Sequence, residues 1–257
     1  MDTQSLPLTL TFATREEDLR AAERLRYQVF VEELGGDGAQ VDHKNRLERD
    51  RFDPYFDHLV LIDESRDRAK LDHVVGVYRL LPCDRVADSG QYYSEDEFDL
   101  SVLKSSGRKL LELGRSCVHR DFRRGLALPM LWDGLADYVR RHDIDILFGV
   151  ASLHGTDVSV LKGPLSHLYH AHLAPPELRA RALSDVYQPM DLMPPEQIDR
   201  VAAMRQVPPL IKSYLRVGGY VGDGAFIDHA FNTTDVCLVV DTARMSASAK
   251  ARYGDLR

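Results

Sequence analysis

The sequence lacks the features that would place it in several special classes of protein. No apolar run approaches the roughly 20 residues that a transmembrane helix needs. The first residues, MDTQSLPLTLTF, show neither the basic start nor the apolar stretch of a secretion signal. Three cysteines stand far apart without metal-type spacing, which predicts reduced thiols. We therefore expect a cytoplasmic protein.

Motifs for common cofactors and nucleophiles are also missing. We find no P-loop, no GxGxxG pattern and no serine-hydrolase elbow. His167, His170 and His172 are close in sequence, but no neighbouring carboxylate or cysteine completes a metal set, so no metal site is predicted. A net charge of -7 argues against general binding of nucleic acid.

What remains is the pattern of an α/β protein of 257 residues, 44% of them hydrophobic. Strands are predicted over 8–13, 58–63, 73–81, 108–118, 144–152 and 235–240. Helices are predicted over 15–33, 95–104, 127–141, 157–172 and 208–219. Capping boxes start the first two helices, at Thr14 with Glu17 and at Ser94 with Glu97. Some strands follow each other through short turns, which indicates a mixed central sheet flanked by helices.

One domain is expected over residues 1–257. Residues 174–209 hold seven prolines and interrupt the alternation of strands and helices. We interpret them as an insertion of short helices and loops before the last helix and strand.

Charged residues recur inside apolar segments. In the first helix, Arg26, Phe30 and Glu33 have a spacing that puts them on one face with apolar residues. Arg26 is either a snorkelling side chain at the edge of the core or a paired charge. In RLERDRFDPYFDH (46–58), Asp50 and Asp53 alternate with aromatic residues, which is compatible with a solvated loop or with a loop packed on something else.

Two further strands carry charges. Arg79 interrupts VVGVYRLL, and Glu112 and Arg115 interrupt LLELGRSCV. On an ideal strand, residues three apart face opposite sides unless a bulge intervenes. These charges form either an internal ion-pair network or a polar active-site cleft.

A basic turn follows the second of these strands. Arg120, Arg123 and Arg124 precede Gly125 and a predicted helix. Arginines beside the N–H groups of a helix start can bind a phosphate, although most such clusters are solvated surface.

The blocks containing these residues resemble a known family. ELGRSCVHRDFRRGLALPMLW resembles the acyl-donor-binding region of GNAT N-acyltransferases. LRYQVFVEELG, DRFDPYFDHLV, GVYRLL, YYSEDEFDL and PPLIKSYLRVGGYVGDGAFIDHAFNTTDVCLVV are more narrowly similar to ornithine–acyl-ACP N-acyltransferases of bacterial ornithine-lipid synthesis, once labelled hemolysin-like. The resemblance covers about residues 10–241.

The resemblance implies a GNAT-like fold and transfer of a 3-hydroxy fatty acyl group from acyl carrier protein (ACP) to the α-amine of L-ornithine. It implies no permanently bound cofactor, because acyl-ACP is a co-substrate. The roles that follow are Glu112, Glu33 and Arg115 in catalysis, with Glu112 as first candidate base; Arg26, Phe30, Asp50, Asp53 and Arg79 at the acceptor; and Arg120, Arg123, Arg124 and Gly125 at the donor phosphate.

Other functions stay open at this point. The blocks are also similar to acyl-homoserine-lactone synthases, but the tryptophan those enzymes carry after the first helix is missing, and GGDG (35–38) stands there. Lysine, glutamine or glycine could replace ornithine as acceptor, and a non-catalytic acyl-ACP or lipid-binding module is a further alternative. A lipid product also leaves peripheral contact with the inner membrane open.

Overall fold

Strands and helices alternate through residues 8–253, which the computed structural model describes. The strands are β1 (Leu8–Phe12), β2 (Asp57–Asp63), β3 (Val74–Pro82), β4 (Phe98–Asp99), β5 (Leu110–Val118), β6 (Ile146–His154), β7 (Arg181–Ala182), β8 (Tyr220–Val221), β9 (Phe226–Asp228) and β10 (Thr233–Asp241). The α-helices are α1 (Glu16–Arg26), α2 (Val86–Ser89), α3 (Ser101–Lys104), α4 (Ala127–His142), α5 (Val158–His172), α6 (Arg200–Gln206), α7 (Pro209–Arg216) and α8 (Ala247–Tyr253). The predicted α/β class is confirmed.

The described chain forms two compact units, and β5 runs from one into the other. The first unit comprises residues 8–81 and 113–141, and in it β2 pairs antiparallel with both β1 and β3. The second comprises residues 82–112 and 142–253. There the start of β5 pairs parallel with β6, while β10 pairs antiparallel with β6, β8 and β9. The expected mixed sheet is confirmed and is mostly antiparallel; the single domain over 1–257 stays a prediction.

Burial explains the strand pattern in the first unit. Every residue of β3 is buried, as its continuous apolar run predicts, whereas β1 alternates between partly buried and exposed residues. Helix α4 packs so closely on these strands that a Cβ at Gly134 would lie 2.6 Å from Leu10 Cδ2. Any larger residue at this crossing would have to displace the Leu10 side chain.

The first predicted helix needs two corrections. It is α-helical only to Arg26, and Tyr27–Glu33 continues as a π-helix. The capping box of Thr14 with Glu17 is wrong, because the N-cap is Arg15 and no side chain caps the helix. The Glu17 carboxylate instead pairs with Arg15 and Arg68.

The second predicted helix, 95–104, is also corrected. The segment contains a 3₁₀ turn (Tyr93–Asp96), β4 and the short helix α3. The capping box of Ser94 with Glu97 is wrong because both the N–H and the hydroxyl of Ser94 donate to Glu112.

The insertion at 174–209 has the expected short elements. It contains two 3₁₀ turns (Pro176–Leu178 and Pro195–Gln197), β7 and α6. Within residues 8–253, none of the helices has both the length and the apolar character needed to span a bilayer. The described residues leave out 1–7 and 254–257. The first of these segments belongs to the stretch in which the sequence shows no secretion signal.

Candidate active site

A cluster of six charged side chains lies in the first unit. We call it the charged cluster, and it contains equal numbers of guanidinium and carboxylate groups. Its members are Arg26, Glu48, Asp50, Asp53, Arg79 and Arg115. Five of these six residues were predicted from the sequence as site residues. Glu48 is the sixth and was not predicted.

Arg26 is the buried centre of the charged cluster, with a fully buried side chain at the end of α1. Its Nε lies 2.5 Å from Glu48 Oε2. Its two terminal nitrogens donate to the two carboxylate oxygens of Asp53, at 2.5 and 3.1 Å. The interpretation of Arg26 as a snorkelling side chain is therefore wrong, because the guanidinium itself is buried and paired.

Arg79 is the second buried guanidinium. Its Nη1 donates to Asp50 at 2.8 Å and to Asp53 at 2.7 Å, and its guanidinium carbon lies 4.4 Å from the centre of the Phe56 ring. The loop 46–58 is therefore packed onto β3 through its acidic and aromatic residues. The interpretation as a solvated loop is wrong for these positions.

Arg115 joins the cluster through an irregularity in β5. Its φ is +50°, a left-handed conformation that disturbs the alternation of side chains along a strand. Its Nε donates to Glu48 at 3.2 Å, and its Nη2 lies 3.1 Å from Asp50 Oδ2. Its side chain keeps 14% exposure and that of Asp50 keeps 17%, so these two reach the rim of the cluster.

The pairing keeps the carboxylates of the charged cluster ionised. Burial would raise the pKa of Asp50, but Arg79 and Arg115 outweigh it and lower that pKa to about 2. Burial is outweighed in the same way at Asp53, where Arg26 and Arg79 hold the pKa well below its usual range. The pKa of Glu48 is also lowered, against its burial, by Arg26 and Arg115.

Two neighbouring groups stay uncharged. Burial lowers the pKa of His58 to about 4, although its Nε2 lies 3.0 Å from the carbonyl oxygen of Asp53. Burial raises the pKa of the Cys117 thiol well above its usual range. Cys117 is therefore a protonated thiol near neutral pH and is not a ready nucleophile.

Glu112 lies in the second unit and is 1% exposed. Its Oε2 accepts the N–H of Tyr93 at 2.9 Å, and its Oε1 accepts the N–H and the hydroxyl of Ser94, both at 2.6 Å. These three hydrogen bonds fix the turn Tyr93–Asp96 to β5. Anchoring of this turn is a structural task for Glu112, and its role as a base stays a prediction.

The basic turn is organised by Glu33. Arg123 Nη2 lies 2.8 Å from Glu33 Oε2, and Arg120 Nε lies 3.6 Å from Glu33 Oε1. Arg123 Nε also donates to the carbonyl oxygen of Val118, at the end of β5. Arg124 and Gly125 are exposed in the same turn. Glu33, at 19% side-chain exposure, is thus the internal counter-ion of two predicted phosphate-binding arginines.

Two sets of residues named from the sequence remain: Phe30, predicted at the acceptor, and His167, His170 and His172, for which no metal site was predicted. Phe30 is partly buried and packs on the core formed by residues of α1, β2 and β3. His167 and His172 have ring centres 5.7 Å apart, and His170 pairs with Asp191 at 2.9 Å. Among residues 8–253, no group of three or more His, Cys, Asp or Glu side chains is arranged to hold a metal ion.

Comparisons with known proteins identify relatives over nearly the full length. Residues 25–133 match the family described as acetyltransferase (GNAT) domain. The L-ornithine N(alpha)-acyltransferase of Rhodobacter capsulatus is 56% identical over 248 residues, which cover 96% of this chain and 95% of that protein. The protein of the same name from Brucella abortus is 40% identical, over 96% and 89% of the two chains.

Solved structures with little sequence identity share the fold. FeeM, an N-acyl amino acid synthase from uncultured soil microbes, has a TM-score of 0.51 at 10% identity, over 95% of this chain and 97% of that one. The CoA-dependent acyl-homoserine lactone synthase BjaI has a TM-score of 0.50 at 15% identity, over 93% and 83%. Together with the match of residues 25–133 to the GNAT domain family, these likenesses confirm the predicted GNAT-like fold. With its 56% identity over almost the whole chain, this protein belongs to the L-ornithine Nα-acyltransferase family.

Proposed function

We propose that this protein transfers a 3-hydroxy fatty acyl group from acyl-ACP to the α-amine of L-ornithine and so forms a lyso-ornithine lipid. The observation that carries the proposal is the 56% identity with the Rhodobacter capsulatus L-ornithine N(alpha)-acyltransferase. Acyl-ACP enters as a co-substrate through its phosphopantetheine thioester, with no permanently bound cofactor. Action in the cytoplasm, at the inner face of the inner membrane, belongs to the same proposal.

The reaction is an aminolysis. A base removes one proton from the α-ammonium group, and the free nitrogen attacks the thioester carbonyl carbon. The tetrahedral intermediate then collapses, the C–S bond breaks, and the thiol leaves with a proton while the amide forms. Backbone N–H groups near the end of β5 are proposed to hold the oxyanion. Within that segment the His119 N–H donates to the carbonyl of Val75, so His119 is not proposed for this role.

Two carboxylates are proposed as the base, acting directly or through water. Glu112 is the first candidate from the family resemblance, although it is buried and accepts three hydrogen bonds from Tyr93 and Ser94. Glu33 is the second, and it is more exposed but ion-paired with Arg123. A donor phosphate that binds Arg123 would compete with Glu33 for it and release that carboxylate.

Acceptor recognition is proposed to use the exposed rim of the charged cluster. The α-amino acid group presents a carboxylate beside an ammonium, which complements a guanidinium beside a carboxylate. Arg115 and Asp50 offer that pair 3.1 Å apart and keep partial exposure. The side chains of Arg26 and Arg79 are fully buried, so we assign them the task of holding Asp50 and Asp53 in place.

The donor is proposed to bind at the basic turn. Phosphopantetheine on a carrier protein carries one phosphodiester, for which Arg120, Arg123 and Arg124 near Gly125 offer positive charge.

Mass spectrometry of reaction products tests the proposal. The purified protein is incubated with one 3-hydroxyacyl-ACP or the matching acyl-CoA, and with ornithine, lysine, glutamine, glycine or S-adenosylmethionine. We expect N-acyl ornithine as the main product and acyl-ACP as the better donor. A lactone formed from S-adenosylmethionine would favour an acyl-homoserine-lactone synthase. A different N-acyl amino acid as main product would show that ornithine is not the preferred acceptor. No product with any donor and acceptor would favour a non-catalytic binding module.

A further inference from the structure

Glu48 is a buried carboxylate beside the irregular part of β5. Arg115 has a left-handed φ of +50° within that strand, although glycine occupies the position before it. Non-glycine residues rarely adopt this conformation, and they keep it only where surrounding contacts hold it. The contacts of Arg115 therefore decide whether the strand keeps this course.

Two carboxylates hold the Arg115 side chain. Glu48 Oε1 accepts Arg115 Nε at 3.2 Å, and Asp50 Oδ2 lies 3.1 Å from Arg115 Nη2. Of the two, Glu48 is the more deeply buried, at 1% side-chain exposure against 17%. A buried carboxylate with a guanidinium partner gives a stronger and more directional contact than an exposed one.

Glu48 is itself fixed from two other directions. Its Oε2 lies 2.5 Å from Arg26 Nε, and its backbone N–H donates to the carbonyl of Glu23, in α1, at 3.1 Å. Glu48 therefore cannot follow Arg115 if that residue relaxes to an extended conformation. The geometry makes Glu48 a fixed link between α1 and β5.

The residues after Arg115 lead directly into the basic turn. The carbonyl of Val118 accepts Arg123 Nε at 2.9 Å, and the N–H of His119 donates to Val75 at 2.8 Å. A change in the backbone at residue 115 would displace the segment 116–119 that supports Arg123. The reaction proposed above uses backbone N–H groups of this same segment.

We propose that Glu48 is a positioning residue that holds Arg115 in its left-handed conformation and thereby sets the course of β5 from residue 115 to the basic turn. Glu48 does not touch substrate, because its side chain is only 1% exposed and its carboxylate is paired with Arg26 and Arg115. The competing view is that Glu48 only neutralises Arg26 and stabilises the unit as a whole.

A double-mutant design separates these views, because glycine adopts a positive φ without help. The variants are Glu48→Gln, Arg115→Gly and their combination. Asp241→Asn is the matched control, since Asp241 is also a buried carboxylate paired with two arginines, Arg108 and Arg244. If Glu48→Gln does not fold, Glu48→Asp takes its place, because it shortens the reach of the carboxylate and keeps its charge.

Hydrogen–deuterium exchange of the full-length variants is the first readout and does not depend on the proposed function. We expect Glu48→Gln to speed amide exchange in residues 113–118 at least tenfold relative to β1, and Asp241→Asn to leave that ratio unchanged. In the Arg115→Gly background, Glu48→Gln should speed amide exchange in residues 113–118 by less than a further twofold. Unchanged or uniformly faster exchange in Glu48→Gln, or an equal effect in both backgrounds, overturns the proposal.

Turnover is the second readout, and it rests on the proposed function. Glu48→Gln should lower kcat at least tenfold in the native background and less than twofold in Arg115→Gly. Equal losses in both backgrounds contradict the proposal. If Arg115→Gly or the native protein shows no acyl transfer, the hydrogen–deuterium exchange result alone tests the role of Glu48. A failure of the proposed function can therefore be distinguished from a failure of this inference.

Discussion

Glu48 and Arg115 lie 67 positions apart in sequence and are joined by a hydrogen bond of 3.2 Å between Oε1 and Nε. This contact ties the acidic loop after α1 to the irregular middle of β5. It also makes Arg115 part of a cluster whose other two arginines are completely buried.

Replacement of Arg26 should strongly destabilise the protein. Arg26→Met leaves Glu48 and Asp53 buried without their main partner, and the loss of one member of a buried ion pair costs about 3–5 kcal/mol. Arg46→Met is the control, because Arg46 is half-exposed and pairs with Glu32 near the surface, where a loss below about 1 kcal/mol is expected. Urea unfolding measures both. Similar losses in the two variants would show that the charged cluster contributes no special stability.

Glu112 can be tested as base and as anchor at once. If Glu112 is the base, Glu112→Gln should lower turnover by about 100-fold or more in a folded protein. Ser94→Ala removes the hydrogen bond from the Ser94 hydroxyl to Glu112 and leaves the carboxylate, so it should reduce stability but spare most turnover. Near-normal turnover in Glu112→Gln would remove Glu112 from the role of base and leave Glu33 as the candidate.

The basic turn should govern the donor and not the acceptor. Arg120→Glu together with Arg123→Glu should raise the apparent KM for the acyl donor at least tenfold, because a phosphate meets negative charge there. The KM for ornithine should change little. Arg141→Glu reverses an exposed arginine of α4 that pairs with Asp137, and it should leave both constants unchanged. A rise confined to the KM for ornithine would refute the phosphate site.

Stability should fall in two steps as the pH is lowered. The pKa of His58 is lowered to about 4, so its contribution is complete above pH ~6.5 and is lost as the pH falls through about 4. The pKa of Asp50 is lowered to about 2, so its contribution is complete above pH ~4 and is lost towards about 2.

Two variants assign these steps in unfolding measurements across the pH range. His58→Gln keeps an N–H donor for the Asp53 carbonyl but does not titrate, and it should flatten the curve between pH ~6.5 and ~4. Asp50→Asn should flatten the curve of unfolding free energy against pH between ~4 and about 2. A curve for either variant that runs parallel to that of the native protein would contradict the assignment.

Long apolar strands and amphipathic helices were predictable from the sequence. The strands β2, β3, β5, β6 and β10 lie close to their predicted ranges because each is a run of apolar residues. The strands β8 and β9 were missed, since two or three residues carry no periodicity. The π-helix after Arg26 was missed because its residues continue the apolar pattern of α1.

The site was predictable where charge interrupts an apolar run. Arg79 and Arg115 stood out for that reason, and so did Arg26 on its helix face. Glu48 was missed because it belongs to the charged run RLERD, in which nothing distinguishes a buried carboxylate from a solvated one. The left-handed Arg115 carried no sequence signal either, because arginine has no preference for that conformation.

The most direct test of the central claim is the position of the acyl group in the product. Ornithine labelled with ¹⁵N at the α-amine is incubated with the purified protein and a 3-hydroxyacyl donor, and the product is fragmented in a mass spectrometer. The account predicts an amide on the labelled nitrogen. An amide on the unlabelled side-chain nitrogen, or no acyl ornithine at all, would contradict it.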